Sequence, residues 1–347
     1  MKKFGPLQLY KNKPTIIAEA GVNHGCNLSL ALKYIKLAKE AGVDAIKFQT
    51  YKANKIVSKI SPAYWDTNKE KTKSQFKLFK KFDKFDFKDY YKLFIKCKKE
   101  KILYMSTLFD IESIKQHNKF LKIFKISSSD INNIPLIREI GKKKKYTIIS
   151  TGAATIVEIR RAIKVLALPK KKICIMHCVL NYPTKYDDAN LNYIKTLKKE
   201  FPGFLIGYSD HTHSDYSLTP IRVAHELGAK IIEKHFTHNK NLIGNDHYHA
   251  AEKNNFVNFY KSLQITNKLY GKFKKNLKKE KKSIKFARRS IFSKLDIKKG
   301  EKLNPNKLIT LRPGDGVSAS FWDIVIKSTA KINISKFKKI EWKDLIL

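Results

Sequence analysis

The sequence predicts an α/β fold: a closed parallel barrel of eight strand–helix repeats, a (β/α)8 or TIM barrel, followed by a small, mostly β domain. Three observations carry this expectation. Eight short apolar runs alternate with longer amphipathic ones along most of the chain. The runs are almost continuously apolar, as strands covered on both faces are. Each run also finishes on polar residues; a barrel gathers such ends at one mouth, whereas an open sheet would converge only the few beside its switch point.

The expected elements follow in order. A first strand over 15–20 carries Glu19, and 28–40 has helical spacing, with Leu30, Ile35, Leu37 and Ala38 on one side and Lys33, Lys36 and Lys39 on the other. A second strand over 45–50 carries Lys47 and Gln49; after a helix over 87–100, a third over 102–108 ends on Ser106 and Thr107. The fourth, over 123–127, brings Lys125 and leads to Ser128, and Pro135 then opens a helix after Asn132-Asn133. Strand 146–150 ends on Ser150 and Thr151 and precedes helix 156–168; strand 173–178 carries His177 and precedes helix 189–200. Strand 204–208 runs into Asp210 and His211, helix 217–227 follows, and strand 230–235 ends on Glu233 and His235. Gly42, Gly141, Gly203 and Gly228 are expected just past helix ends, where a left-handed residue costs least.

With 347 residues the chain has room for one large domain and one small one. Residues 1–271 are read as the barrel, 272–288 as a basic linker holding nine Lys or Arg against one Glu, and 289–347 as the appended domain, too small to be very stable alone. No apolar run approaches the roughly 18 residues needed to cross a bilayer, and no apolar stretch follows Lys2-Lys3, which predicts a cytoplasmic protein without a membrane partner. Cys26, Cys97, Cys174 and Cys178 are too few and too scattered for a disulfide framework.

The formal net charge is +42, yet of 72 basic residues only seven are arginine, and the 65 lysines are scattered among abundant Ile, Asn, Tyr and Phe. A nucleic-acid binder uses arginine for base edges and concentrates its charge on one element. The scatter resembles the codon bias of an AT-rich genome, so nucleic-acid binding is the weaker reading. Steering of anionic substrates remains a physical consequence.

Three groups of residues at the strand ends carry chemistry. His211 and His235 close adjacent strands, and two neutral imidazoles at one mouth suit Mn, Fe, Co or Zn, with Asp210 or Glu233 as orienting partner, although hydrogen-bonded barrel histidines would look the same. His213, His238, His247 and His249 lie in loops and are weaker candidates. Glu19 sits in an apolar frame and is either an acid–base group or the partner of a barrel lysine. Lys47 and Lys125, beside Thr107, Ser128, Ser150 and Thr151, are suited to grip a phosphate or carboxylate.

The motifs that contain these residues are Ile17-Ala18-Glu19-Ala20-Gly21-Val22-Asn23-His24, Ile46-Lys47-Phe48-Gln49-Thr50, Met105-Ser106-Thr107, Phe124-Lys125-Ile126-Ser127-Ser128 and Ser150-Thr151-Gly152. They continue with His177-Cys178, Tyr182-Pro183-Thr184, Gly207-Tyr208-Ser209-Asp210-His211-Thr212 and Glu233-Lys234-His235-Phe236-Thr237. In that order they resemble the motifs of the sialic acid synthase family, transferases that condense phosphoenolpyruvate with an N-acetylmannosamine-like sugar to give a sialic acid or related nonulosonic acid plus phosphate. The tail, from Arg289-Ser290-Ile291 to Arg312-Pro313-Gly314-Asp315-Gly316, is similar to that family's C-terminal antifreeze-like (SAF) domain.

The resemblance implies a role for each matched position. His211 and His235 would hold a divalent metal, Mn foremost with Mg or Co as alternatives, that acts as a Lewis acid on the open-chain sugar's aldehyde oxygen. Lys47, Thr107, Lys125, Ser128 and Ser150 match the phosphoenolpyruvate positions, and Glu19 the carboxylate beside C2, where water adds before phosphate leaves by C–O cleavage. Gln49, Asp130, Tyr182 and Asp246 match sugar-facing positions, with Asp246 near a sugar hydroxyl or the aldehyde. Arg312 would reach the sugar's N-acyl group in the partner's barrel of a domain-swapped homodimer. Departures fall on the sugar side: Gly25 precedes Cys26, the usual Gly-Ser-Gly-Glu is Ser127-Ser128-Ser129-Asp130, and Leu180 stands where many members have Asn, with Asn181 one place later. They leave the sugar open, and the alternative enzyme is a related phosphoenolpyruvate-using or aldolase-type barrel acting on another aldose.

Overall fold

The computed structural model describes residues 2–244 and 246–347. A hairpin of β1 (Lys2–Phe4) and β2 (Leu7–Leu9) precedes eight parallel strands: β3 (Thr15–Gly21), β4 (Ala45–Thr50), β5 (Leu103–Leu108), β6 (Ile123–Ile126), β7 (Tyr146–Ser150), β8 (Ile173–Cys178), β9 (Leu205–Asp210) and β10 (Ile231–His235). They close into a barrel in chain order, with β10 pairing back onto β3.

Period-two alternation builds the barrel's two faces. Ile17, Ala45, Met105, Ile123, Ile148, Cys174, Met176 and Ile231 form an interior cluster together with Phe4 and Leu7, so the hairpin plugs the barrel at its base. Two residues further along each strand, the same inward face becomes polar: Glu19 after Ile17, Lys47 after Ala45, Thr107 after Met105, Lys125 after Ile123, Ser150 after Ile148 and Glu233 after Ile231. The intervening residues, such as Ile16, Ala18, Ile46, Phe48, Tyr104, Ile149 and Ile232, pack in a second core with the helices' Tyr34, Ile35, Leu93, Ile137, Ile159 and Phe256.

The helices begin where side chains can satisfy free backbone N–H groups. Asn27, Asp86, Asp110, Asn133 and Thr155 each accept from an N–H of the following turn, and Pro135 lies in the first turn of Ile134–Lys142. Gly42, Gly203 and Gly228 take positive φ past helix ends, as expected. Gly141 does not: it lies within Ile134–Lys142, where a Cβ would come 2.4 Å from the Leu166 carbonyl oxygen. Its smallness lets that helix press backbone to backbone against Ile156–Leu166. The helix expected from residue 189 starts only at Tyr193. Helices at Gln75–Lys81, Ile111–His117 and Lys253–Tyr270 were not expected, and all four cysteines are free thiols.

The chain divides into two compact units, the first ending at Tyr270 and the second spanning 271–347. In the second, part of the segment read as a linker forms the helix Lys281–Ala287. β11 (Ser290–Ser293) pairs antiparallel with β12 (Leu308–Leu311), and β13 (Thr329–Ala330) with β14 (Leu345–Ile346), over a core that includes Ile291, Leu303, Val325 and Ile340. Among the described residues no helix is long and apolar enough to cross a membrane.

Candidate active site

A cavity of about 560 Å³ opens at the C-terminal ends of the barrel strands, the end at which barrel enzymes carry their chemistry. Its lining includes Glu19, Lys47, Gln49, Thr107, Lys125, Ser128, Asp130, Ser150, Tyr182, His211, His235 and Asp246, so the fold brings together the barrel residues to which the resemblance gives a role. Arg312 belongs to the second unit, where it is exposed just past β12.

The floor is a run of buried charges. Lys47 Nζ lies 2.7 Å from Glu19 Oε2 and 3.5 Å from Glu233 Oε1, while Lys125 Nζ donates to both Glu233 oxygens at 2.9 and 3.0 Å. Lys47 also donates to Thr107 Oγ1 at 2.8 Å, and Gln49 Nε2 to Glu19 Oε1 at 3.0 Å. Two ammonium groups thus face two carboxylates, and Lys125, whose two bonds both go to Glu233, keeps a third N–H for an incoming anion. The two carboxyls titrate apart. Burial pushes Glu19 up to about 7, with Lys47 opposing and the Glu233 charge reinforcing. Glu233 is held down to about 2, because Lys125 and Lys47 together outweigh its burial. Burial also works against the Lys47 charge, but Glu19 and Glu233 raise its pKa on balance. Glu19 can therefore hold or release a proton near neutrality while Glu233 stays a fixed counter-ion.

A register shift between Glu19 and Gly21 in the β3–β4 pairing lies beside this floor, and such irregularities re-aim side chains near sites. Gly21 takes φ +53°, and a Cβ there would lie 3.4 Å from Gln49 Nε2 and 3.5 Å from Glu19 Oε1. The hydroxyls are set differently from one another. Ser128 Oγ accepts from Gly152 N at 3.0 Å, and Ser150 Oγ is buried with no hydrogen-bond partner among the described residues. Asp130 accepts from Ser127 Oγ at 2.6 Å and from Asn133 Nδ2 at 3.1 Å.

The imidazoles stand against one another beside the floor. The His211 and His235 ring centroids are 5.4 Å apart, and the Tyr182 ring lies 4.1 Å from that of His211. His211 Nδ1 donates to the Val179 carbonyl at 2.7 Å; this tautomer leaves a lone pair on Nε2. His235 Nδ1 is buried without a hydrogen-bond partner among the described residues, 3.6 Å from Asp246 Oδ2. Desolvation pushes its pKa well down, so the ring stays neutral, and the same burial raises Asp246 to about 6 against the His211 and Lys47 charges. Imidazole nitrogens beside a carboxylate suit a divalent transition metal. Potential ligand atoms of His235, Asp246 and His249 all lie within 4.8 Å of one another.

Several sequence expectations need correction. Asp210 and Glu233 do not orient the imidazoles. Asp210 lies on the helix-facing side of β9 and pairs with buried Lys234 at 2.9 Å, while accepting from Tyr208 Oη and Thr212 N. Glu233 serves the two lysines. Nor does every polar strand end face the mouth: His177 bonds to the Ala189 carbonyl at 2.8 Å, and Ser106 pairs with Thr50 at 2.8 Å on the outer face. Alternation sends these side chains outward. His249, set aside as a loop residue, is fully buried against His235 with ring centroids 4.9 Å apart. Its signal was present in the His247-Tyr248-His249 spacing that follows Asp246.

An eight-stranded barrel with paired lysines and carboxylates under a histidine cluster, followed by a small β unit, defines a class, and the chain belongs to the NeuB family. The model of that family matches residues 34–275, and that of the SAF domain matches 288–346. Among relatives, N,N'-diacetyllegionaminic acid synthase of Campylobacter jejuni is 38% identical over 92% of this chain and 97% of its own length. Pseudaminic acid synthase of the same species is 31% identical over 93% of this chain and 94% of its own. The crystal structure of N-acetylneuraminic acid synthetase from Leptospira borgpetersenii, in complex with citrate, superposes with a TM-score of 0.65 at 34% identity, over 80% of this chain and 92% of that one.

Proposed function

We propose that this chain is a metal-dependent nonulosonic acid synthase. It condenses phosphoenolpyruvate with an N-acetylmannosamine-like amino sugar, releasing a sialic acid or related nonulosonic acid and phosphate. The observation that carries this reading is the floor itself: two lysines balanced by one ionised and one near-neutral-titrating carboxylate, in the same cavity as the imidazoles of His211 and His235. Such a floor can accept a small multiply charged anion and manage a proton beside it. The relatives named above are synthases of legionaminic, pseudaminic and N-acetylneuraminic acids.

In this reading Lys47 and Lys125 hold the carboxylate and phosphate of phosphoenolpyruvate, with hydroxyl donors from Thr107, Ser128 and Ser150. Bound rigidly, the enol phosphate presents C3 to the sugar's aldehyde carbon, so proximity supplies part of the rate. His211 and His235 would hold the divalent ion, Mn, Mg or Co, which when bound polarises the aldehyde C=O as a Lewis acid. As the C–C bond forms, the aldehyde oxygen takes a proton, for which Asp246, raised to about 6, is the donor in reach of the imidazoles. C2 is then left cationic. Water adds to it, the Glu19 carboxylate takes the water's proton, and the C2–O bond to phosphate breaks as the new C2 hydroxyl passes its proton to the departing phosphate, leaving the C2 ketone.

On the sugar side, Gln49, Tyr182 and Asp130 line the cavity. Arg312 contacts the N-acyl group of sugar bound to a second copy in a domain-swapped dimer, and the enzyme works in the cytoplasm. The test is phosphate release, with mass spectra of the products, over a panel of 2-acetamido hexoses, 2,4-diacetamido hexoses, their phosphates and unsubstituted aldoses. We expect release only with N-acylated sugars, and a product heavier than the sugar by the three-carbon acid. Equal release with plain aldoses would favour the alternative barrel enzyme.

A further inference from the structure

We propose that His249 is a further ligand of the metal centre, joining His211 and His235, and that this third imidazole biases the centre toward Co(II), Fe(II) or Zn(II) over Mg(II). The inference deepens the reading of His235 as a metal ligand and rests on it. His249 has no exposed surface, yet neither of its ring nitrogens has a hydrogen-bond partner among the described residues. Buried polar atoms are nearly always satisfied, so an orphaned pair on one ring calls for an explanation. The His235 Nδ1 that faces the same region is also unpartnered. Donors around a shared ion, each about 2.0–2.2 Å from it, lie roughly 3–4 Å apart; potential ligand atoms of His235 and His249 already lie within 4.8 Å of one another, with an Asp246 oxygen as close, and need only small side-chain adjustments to close on one ion.

The backbone holds His249 in this position. Ala251 N donates to the His235 carbonyl at 2.8 Å and Thr237 N to the Ala251 carbonyl at 2.9 Å, so the returning chain runs alongside the end of β10. Ser214 Oγ donates to the His249 carbonyl at 3.0 Å, and Tyr248 Oη to the Tyr182 carbonyl at 2.8 Å. The ring is therefore fixed beside His235 on an anchored segment, as precise ligation requires. Imidazole donors favour the later first-row ions, whereas oxygen-rich sites suit Mg, so each added imidazole moves the preference in that direction.

The experiment titrates chelator-treated full-length protein with Co(II), following its visible absorption and the rise in melting temperature on binding, in the wild type, His249→Leu, His249→Asn and His211→Ala. Leucine keeps the volume, and asparagine covers the case in which leucine fails to fold. The expected result is Co(II) binding weakened by about 10–100-fold in both His249 variants, with altered absorption bands and a smaller metal-dependent rise in melting temperature, while excess Mg(II) fails to displace Co(II) from the wild type. A purely structural histidine would change the melting temperature of the metal-free protein but not the increment on adding metal. If the His249 variants bind Co(II) with wild-type affinity and spectrum while His211→Ala does not, the inference is overturned and the synthase reading stands. If the wild type binds no Co(II), both fall.

Discussion

Alanine at His211 or His235 leaves a folded protein whose phosphate release falls by roughly 10³-fold or more, because what is lost is charge stabilisation at the reacting carbonyl. Core packing is little affected, since both rings face the cavity. The His211 tautomer is set by a backbone carbonyl, which no substitution at a neighbouring side chain removes. Chelation of the wild type produces the same loss, and Mn, Co or Mg reverses it. Melting temperature and circular dichroism check that the variants fold; a metal-free wild type of full activity would contradict the assignment.

Glu19→Gln lowers turnover by about 10²–10⁴-fold, the usual worth of a positioned general base. Glutamine keeps the shape and the contact with Gln49, so the loss is of the proton acceptor. Lys47 keeps Glu233 as a counter-ion at 3.5 Å, and phosphoenolpyruvate binding survives. The pH profile carries the sharper information. With Glu19 pushed up to about 7 by burial and the Glu233 charge, its ionised form declines below neutrality, so wild-type kcat/KM falls on the acid side with a midpoint near that value. The variant's residual activity lacks this limb. Stability runs the opposite way. A carboxyl whose folded pKa lies above its unfolded one favours the fold below about pH 4, and that contribution is lost as pH rises through about 7. Glutamine removes this slope. Turnover within tenfold of wild type, or an unchanged acid limb, would remove Glu19 from the mechanism.

Much of this architecture was legible because the barrel writes itself in steps of two. From Ile17 to Glu19, Ala45 to Lys47 and Ile231 to Glu233, the inward face passes from core to chemistry within one strand. Chain order therefore gave both the strands and the candidates at their ends. Contacts across the closed barrel were not legible. Lys125 meets Glu233 over a separation of 108 residues, on strands that are not neighbours, and nothing local in either segment announces the pair. Glu233 was consequently read as a partner for His235, its neighbour two places on, instead of as the counter-ion of two lysines. His249 escaped for a related reason: its place depends on the chain doubling back beside His235, and loop membership alone suggested exposure. Gly141 misled because a glycine near a helix end looks the same in sequence whether it caps that helix or admits a neighbouring backbone. In the helix Gln75–Lys81 every residue after Gln75 except Leu78 is lysine or phenylalanine, which leaves no clear apolar stripe.

The central claim is that phosphoenolpyruvate gives its carbon skeleton to the sugar and loses phosphate by cleavage at carbon. Phosphoenolpyruvate labelled with ¹⁸O at the bridging oxygen, incubated with enzyme and an N-acylated amino sugar, tests this through the mass of the released phosphate. The account predicts that the label leaves with phosphate, that release requires the sugar, and that an unlabelled nonulosonic acid appears in equal amount. Unlabelled phosphate, which marks cleavage at phosphorus, or phosphate released at the same rate without sugar, would contradict it.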